Sequence, residues 1–272
     1  MKMKHRLRTA VAAASAAFLC AVAVADAPKT AADFDRSGLA KMDVPDMDGA
    51  VADFDKAIQL DPNDKTAFYN RGLVKAEKED YDGAIADFNK AIEIDPKSAD
   101  AFDMRGNAKD EKGDHAGAIS DYGHALELNP HMAVAYYDRG VAKGRNGDPD
   151  GAIADFGKAI ELDPKMGEAW SNRAEIKAAK ADYDGAIADF DQAVALDPKN
   201  DVALIERGDA REKKGDHDGA IADYTSAIKV DPDNPRVYFQ RSLAEKAKGD
   251  AQAAAADLKR VHEMDPKFAP AK

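Results

Sequence analysis

The sequence repeats itself every 34 residues. Seven Asp-Pro or Asn-Pro dipeptides mark this interval: Asp61-Pro62, Asp95-Pro96, Asn129-Pro130, Asp163-Pro164, Asp197-Pro198, Asp231-Pro232 and Asp265-Pro266. A glycine followed by Ala and then Val or Ile keeps the same register at Gly49, Gly83, Gly117, Gly151, Gly185 and Gly219, and Ala253 takes its place in the seventh unit. A period of this length predicts stacked supersecondary units.

Within one unit, apolar and small residues recur at helical spacing in two segments. In the unit from Lys65 to Ser98 they are Phe68, Gly72, Val74 and Ala76, and then Ala84, Ile85, Phe88, Ala91, Ile92 and Ile94. Asp80 precedes the second segment, where a carboxylate caps free N–H groups. Proline ends that segment. We therefore expect each unit to be an antiparallel pair of helices.

These residues resemble the tetratricopeptide repeat, whose pattern runs aromatic, Gly, Ala, aromatic, Ala and Pro. The matching residues are Phe68, Gly72, Ala84, Phe88, Ala91 and Pro96 in the second unit, and Leu204, Gly208, Ala220, Tyr224, Ala227 and Pro232 in the sixth. The resemblance implies an all-α fold, a right-handed superhelical solenoid of seven tandem helix-turn-helix repeats. The predicted repeats span 31–64, 65–98, 99–132, 133–166, 167–200, 201–234 and 235–268, followed by a tail at 269–272.

The first and last units depart from the pattern, as terminal repeats usually do. Ser37 replaces an arginine found in the other six units, and Pro45 replaces the usual turn residue. The last unit has Ser242, Ala253 and His262 at columns that conform elsewhere. We expect its second helix to face water, with Ala255 and His262 in place of larger aliphatic residues.

The first 25 residues have the layout of a secretory signal peptide. Four basic residues precede sixteen mostly apolar ones from Ala10 to Ala25, which end in the triplet Ala23-Val24-Ala25. A bilayer-spanning helix needs about twenty. We predict cleavage after Ala25, a short segment at 26–30, no membrane insertion, and a periplasmic or secreted location. Lipidation at Cys20 is the alternative, but Leu19 precedes it where bacterial lipoproteins usually carry Gly or Ala.

Cleavage would remove four basic residues and the only cysteine, moving the formal net charge from −12 to −16. A chain without cysteine has no disulfide framework and no thiolate site. An acidic surface repels nucleic acid and anionic lipid, so neither is an expected partner.

An arginine precedes an aspartate by sixteen residues in six of the units. The arginines are Arg71, Arg105, Arg139, Arg173, Arg207 and Arg241, and the aspartates are Asp87, Asp121, Asp155, Asp189, Asp223 and Asp257. Because a residue that returns in every unit serves packing better than ligand chemistry, we predict one structural ion pair per unit. Replacing Arg139 by Ala should lower the melting temperature without abolishing partner binding.

No pattern predicts a metal, a cofactor or catalysis. Asp-x-Asp-Gly, as at Asp80 to Gly83, Asp148 to Gly151, Asp182 to Gly185 and Asp216 to Gly219, resembles part of a calcium loop, but the remaining ligands are absent, so helix capping is the better interpretation. His115, His217, His124, His131 and His262 form no metal-binding motif and are interpreted as surface residues. No nucleophile elbow or phosphate-binding loop stands in a strand-to-helix context. We therefore do not expect an enzyme.

In this family the first helices of the repeats line a concave groove, so the resemblance implies that irregular positions there select the partner. These positions are Tyr69, Leu73, Asp103, Asn107, Asp110, Tyr137, Val141, Ser171, Glu175, Ile205, Asp209, Glu212, Phe239 and Leu243. Apolar anchors among carboxylates suit a basic, hydrophobic peptide or protein segment. A family subset that grips a C-terminal carboxylate uses Lys, Asn and Arg, which these positions mostly lack.

Three functions remain open at this point. The first is a non-catalytic interaction scaffold in the bacterial cell envelope that holds a protein or peptide in the groove. The second is a glycan or peptidoglycan binder that stacks sugars on Tyr69, Tyr137, Trp170 and Phe239. The third is a structural element that associates with itself end to end.

Overall fold

The computed structural model describes residues 29–43 and 46–269. These residues form fourteen α-helices and no strand. The chain divides into two compact units, Met1–Asp148 and Pro149–Lys272. The predicted signal peptide, most of the 26–30 segment and Pro45 lie outside the described residues.

The first unit contains α1 (Ala31–Asp43), α2 (Met47–Leu60), α3 (Lys65–Glu77), α4 (Tyr81–Ile94), α5 (Ala99–Glu111), α6 (His115–Leu128) and α7 (Ala133–Arg145). The second contains α8 (Pro149–Leu162), α9 (Gly167–Ala179), α10 (Tyr183–Leu196), α11 (Asp201–Lys214), α12 (His217–Val230), α13 (Pro235–Ala247) and α14 (Ala251–Met264). We call the odd-numbered helices first helices and the even-numbered ones second helices. The predicted all-α fold of helix pairs is confirmed.

Aspartate caps begin the second helices. Asp80 accepts a hydrogen bond from the backbone N–H of Gly83 at 3.0 Å, and Asp182 and Asp216 do the same for Gly185 and Gly219. A Cβ atom on Gly83 would lie 2.2 Å from Oδ2 of Asp80, so the cap itself excludes a side chain there. Capping is thus confirmed as the role of these three Asp-x-Asp-Gly segments.

In the helix pairs that lie within one unit, except the last, a buried aromatic ring on the second helix holds the two helices together. The ring of Phe88 is fully buried, and a Cβ atom on Gly72 would lie 2.7 Å from its Cε1 atom. The same close approach joins Gly106 to Tyr122 and Gly208 to Tyr224. Burying one such side chain stabilises the fold by about 1.5–3 kcal/mol. The small residue at this column therefore lets the two helices approach closely.

The turn between the two helices of a pair needs one residue in the left-handed region. Glycine fills it in four places, including Gly249 with φ 87°. Glu79 and Ala181 adopt φ values of 65° and 62°, where a Cβ atom costs about 1–2 kcal/mol. These two turns are therefore strained relative to the glycine turns.

Exposed ion pairs connect consecutive helix pairs at a constant separation of 30 residues. The partners are Lys78 with Asp48, Lys112 with Asp82, Lys180 with Asp150, Lys214 with Asp184, and Lys248 with Asp218. Exposed pairs of this kind contribute about 0–1 kcal/mol each. Their regular spacing shows that successive pairs within a unit meet in the same way.

Among the described residues, no helix combines the length and the apolar character that crossing a membrane requires.

Candidate partner-binding surface

The recurrent arginines belong to the framework of the fold. Arg71 donates two hydrogen bonds to Asp87, from Nε to Oδ2 at 2.8 Å and from Nη2 to Oδ1 at 2.5 Å. Lys75 adds a contact at 2.7 Å to the same carboxylate, which is only 3% exposed. The Arg71 guanidinium also lies 5.5 Å from the centroid of the Phe68 ring. A carboxylate with two cations and little water is a structural site.

Five of the six predicted Arg–Asp pairs are confirmed. They are Arg71 with Asp87, Arg105 with Asp121, Arg173 with Asp189, Arg207 with Asp223, and Arg241 with Asp257. Arg139 lies in the first compact unit and Asp155 in the second. Their pairing therefore stays a prediction. We did not predict the second cation, which lies four residues after the arginine, although this position is basic in six of the seven repeats.

Five of the predicted groove residues are buried. Leu73 is 1% exposed, Asp103 2%, Ile205 6%, Tyr137 7% and Asn107 9%. The expectation that these side chains are exposed to a partner is wrong, because they pack against residues of adjacent helices. Leu73 and Ile205 lie in hydrophobic cores. Asn107 accepts a hydrogen bond from the hydroxyl of Tyr122 at 2.9 Å.

Other predicted groove residues remain within reach of solvent. Leu243 is 46% exposed, Glu175 is exposed, and Tyr69, Val141, Ser171 and Phe239 are half-buried. The ring of Tyr69 packs against Phe88, with ring centroids 5.8 Å apart. The ring of Phe239 packs against Phe268 at 5.6 Å. The accessible part of the predicted groove is therefore smaller and less apolar than the sequence implied.

Two predicted carboxylates are paired with histidines. Asp110 lies 2.7 Å from Nδ1 of His115 and also pairs with Arg145. Glu212 lies 2.9 Å from Nδ1 of His217. Both histidines lie at the start of second helices with their side chains partly exposed, and each contacts a carboxylate. The sequence feature that indicates this pairing is a carboxylate five residues before each histidine.

Four of the carboxylates on the first helices of the second unit form what we call the acidic face: Glu175, Glu206, Asp209 and Glu212. Burial raises the pKa of Glu206, and the charges of Asp209 and Glu175 raise it further, while Arg236 acts in the opposite direction. Glu206 was not predicted, although it lies three residues before Asp209. Burial is the larger cause of the raised pKa, and the two neighbouring carboxylates act in the same direction.

Asp209 is fixed in place by three donors. The hydroxyl of Tyr224 donates to Oδ1 at 2.7 Å, and Nε2 of Gln240 donates to the same atom at 3.1 Å. Arg236 donates to Oδ2 at 3.2 Å. Burial, followed by the charge of Asp209, raises the pKa of Tyr224 above its ordinary value, so this hydroxyl stays a donor. The acidic face is thus built on a fixed carboxylate, with Glu175 and Glu206 beside it.

A cavity of about 150 Å³ opens in the first unit beside Tyr69. It lies between α3, the end of α4 and the start of α5, and Lys65, Asp95 and Asp100 contribute its charged groups. In the part of the chain that the structure describes, no group of three or more His, Cys, Asp or Glu residues is arranged to hold a metal ion.

Family models match most of the repeat region. Models described as tetratricopeptide repeats match residues 66–98, 99–132 and 137–201, and one described as a TPR repeat matches residues 208–249. Together they match more than half of the chain. A search among curated protein sequences found no match.

Several solved structures are similar over nearly their whole length. The C-terminal part of a TPR repeat-containing protein from Cytophaga hutchinsonii is 18% identical, with a TM-score of 0.75 over 86% of this chain and 96% of its own. The crystal structure of the MamA protein is 25% identical, with a TM-score of 0.60 over 65% and 100%. YrrB, described as a TPR protein with an unusual peptide-binding site, is 24% identical, with a TM-score of 0.60 over 72% and 97%. With its helix pairs, its buried ring columns and these matches, the chain belongs to the tetratricopeptide-repeat family.

Proposed function

We propose that the protein is a non-catalytic scaffold whose acidic face binds a basic, partly apolar segment of a protein partner. Tetratricopeptide repeats mediate protein–protein interactions and are generally not catalytic. The observation that carries the proposal is the closeness of Glu206 to Glu175 and Asp209, whose charges add to the effect of burial in raising the pKa of Glu206. A lysine or arginine placed there would compensate these charges, so this face favours a cationic partner.

The apolar part of the proposed contact lies on α13. Leu243 is 46% exposed and Phe239 lies one helical turn before it. Residues four apart share one face of a helix, and Gln240 and Arg236 of the same helix reach Asp209. A segment that alternates basic and apolar side chains therefore meets both kinds of surface within one unit.

The proposal is tested with two labelled twelve-residue peptides, one of Lys and Leu at helical spacing and one with Glu in place of Lys. We expect the Lys peptide to bind, and added salt to weaken its binding. Neutralising the face by Glu175→Gln, Glu206→Gln and Glu212→Gln should weaken it about tenfold, since each partly exposed charge contributes about 0.2–1 kcal/mol. Fluorescence anisotropy measures the dissociation constants.

A matched control removes the same charge elsewhere in the second unit. Glu161→Gln, Asp233→Asn and Glu263→Gln change exposed residues outside the acidic face, and should alter the affinity less than twofold. If the control and the face variant weaken binding equally, attraction to net charge alone explains the result. Equal binding of the Glu peptide would also contradict the proposal.

A glycan-binding function has less support from the side chains that would carry it. Trp170 is covered on one face by Arg173, whose guanidinium lies 5.0 Å from the ring centroid. Its indole N–H donates to the carbonyl of Pro164 at 3.0 Å. Tyr137 is buried, which leaves Tyr69 and Phe239 of the four aromatic residues considered for stacking.

We also propose that the chain is exported and cleaved after Ala25, on the strength of the layout of residues 1–25. The partner would then belong to the cell envelope or to the medium. Expression with a C-terminal tag, cell fractionation and N-terminal sequencing test this point. An N-terminus at Asp26 in the periplasmic fraction is expected, and an intact Met1 in the cytoplasmic fraction would contradict it.

A further inference from the structure

The cavity beside Tyr69 is large enough for the head of a side chain. Its volume is about 150 Å³, whereas one water molecule needs about 10–15 Å³. Tyr69 and Lys65 line it from α3, Ala91 and Asp95 from the end of α4, and Asp100 from the first turn of α5. All of these residues belong to the first unit.

The charged groups that line the cavity do not cancel one another. Nζ of Lys65 lies 2.5 Å from Oδ2 of Asp95, and this hydrogen bond holds the pKa of Asp95 below its ordinary value. Asp100 is exposed and forms no ion pair or hydrogen bond through its carboxylate with another described residue. Among the residues that line the cavity, two carboxylates and one ammonium group leave one negative charge, and the charge of Lys97 also acts on Asp95 from outside the lining.

The chain itself shows how such a combination holds a cation. Arg71 lies on the ring of Phe68 while it donates to Asp87, and Arg105 lies on Phe102 while it donates to Asp121. An aromatic ring and a carboxylate together suit a guanidinium, which is planar and carries several donors. The cavity presents the same two groups, Tyr69 and Asp100, to the outside.

We propose that this cavity binds an arginine side chain of the protein partner. The inference rests on the proposed function in that the partner supplies a basic segment, but it concerns a different unit and different residues. The guanidinium lies against Tyr69 and donates to Asp100, and Asp95 is a second acceptor once Lys65 turns toward solvent. Charge selects a cation here, and the ring favours Arg over Lys.

The test uses acetyl-Gly-Arg-Gly-amide and the same peptide with citrulline, which keeps the shape of arginine but carries no charge. Titration into the ¹⁵N-labelled protein should shift the amide signals of Tyr69 and Asp100 with the Arg peptide. Asp100→Asn should weaken this binding about fivefold, as expected for the loss of one partly exposed charge contact. Tyr69→Leu should weaken it as well.

The matched control is Glu127→Gln, which removes the same charge from an exposed position of α6 in the same unit. It should leave the affinity for the Arg peptide unchanged, and far-UV circular dichroism confirms that each variant is folded. Citrulline that binds as well as arginine, or Asp100→Asn that binds as well as the unaltered protein, would overturn the proposal.

Two further measurements distinguish the arginine site from a sugar site and from the proposed function of the acidic face. Shifts at Tyr69 with the disaccharide of N-acetylglucosamine, and none with the Arg peptide, would identify a sugar site and overturn the proposal. Loss of Lys-peptide binding to the second unit, with Arg-peptide binding at Tyr69 intact, would refute the proposed function of the acidic face alone. Intact binding at the acidic face without binding at Tyr69 would refute only the arginine site.

Discussion

The second helices from α2 to α12 differ from α14 in what they bury. Each of the six buries an aromatic ring that is at most 1% exposed, at Phe54, Phe88, Tyr122, Phe156, Phe190 and Tyr224. The corresponding residue of α14 is Leu258, which is 47% exposed. Ala255 and His262 are exposed too, which confirms the expectation that this helix faces water. The same position of the repeat is therefore buried against neighbouring helices in six repeats, whereas in the seventh it is exposed to solvent.

The ionic framework differs between the same regions. In the earlier repeats the buried aspartate meets an arginine and a second cation, as Asp121 meets Arg105 and Lys109. In the last pair, Glu245 occupies the column of the second cation, and Oε2 of Glu245 accepts no hydrogen bond from the described residues. The last pair therefore has two buried carboxylates for one arginine.

The largest expected effect comes from truncating the residue at the ring position, in a repeat that buries it and in the last repeat. Phe190→Ala should lower the free energy of unfolding by about 3–5 kcal/mol, because it leaves a cavity in a closed core. Leu258→Ala should cost less than about 1 kcal/mol, because nearly half of that side chain already contacts water. Urea denaturation followed by circular dichroism measures both. Similar losses would mean that Leu258 packs as the rings do.

The next comparison removes the buried aspartate from each region. Asp121→Ala should cost about 2–3 kcal/mol, since Arg105 and Lys109 lose their shared partner in a partly dry site. Asp257→Ala should cost less than about 1 kcal/mol, because Glu245 can then pair with Arg241 alone. Thermal melting ranks the two variants, and a larger loss for Asp257→Ala would contradict this account.

Glu245→Lys should restore the charge pattern of the other repeats and raise the stability at pH 7 by about 1 kcal/mol. In the unaltered protein, burial and the charge of Asp257 raise the pKa of Glu245 above its ordinary value of 4.5. A raised pKa in the folded state means that the associated stability is present at low pH and is lost as the pH rises through that pKa. Melting curves between pH 4 and pH 8 should show this loss, and Glu245→Lys should remove it.

The reciprocal variant is Lys177→Glu, because Lys177 contacts the buried Asp189 at 2.7 Å. It should create in α9 and α10 the arrangement that α13 and α14 have naturally. Its melting temperature should therefore fall as the pH rises over the same range. A pH-independent melting temperature for this variant would show that the two regions differ for another reason.

The smallest expected effect concerns the turns. Ala181→Gly should raise the stability by about 0.5–1 kcal/mol, because it relieves the positive φ of α9's turn at the cost of some chain entropy. Gly249→Ala should lower it by a similar amount in the last pair, where glycine already fills the position. We expect the melting temperature to rise for Ala181→Gly and to fall for Gly249→Ala. Changes in the same direction would contradict the effect assigned to the positive φ.

The sequence predicted the elements that repeat and failed where neighbouring repeats meet. Asp80 as a cap, Gly72 beside Phe88, and the Arg–Asp pairs follow from contacts inside one unit of 34 residues, which the register specifies. Leu73, Tyr137 and Ile205 were expected to be exposed and are buried. The cores that hold Leu73 and Ile205 combine residues of successive repeats, and the spacing within one repeat does not specify how these residues pack. Glu206 was missed because its environment comes from α9 and α13 as well as its own helix.

The ion pairs that join successive helix pairs affect how the number of repeats can change during evolution. Lys78 meets Asp48 and Lys112 meets Asp82 across the same interval of 30 residues. A deletion of residues 65–98 would place Lys112 at that interval from Asp48, so the pair would form again with new members. Unequal recombination between these copies can therefore remove one repeat and still leave an ion pair of the same kind at the new junction.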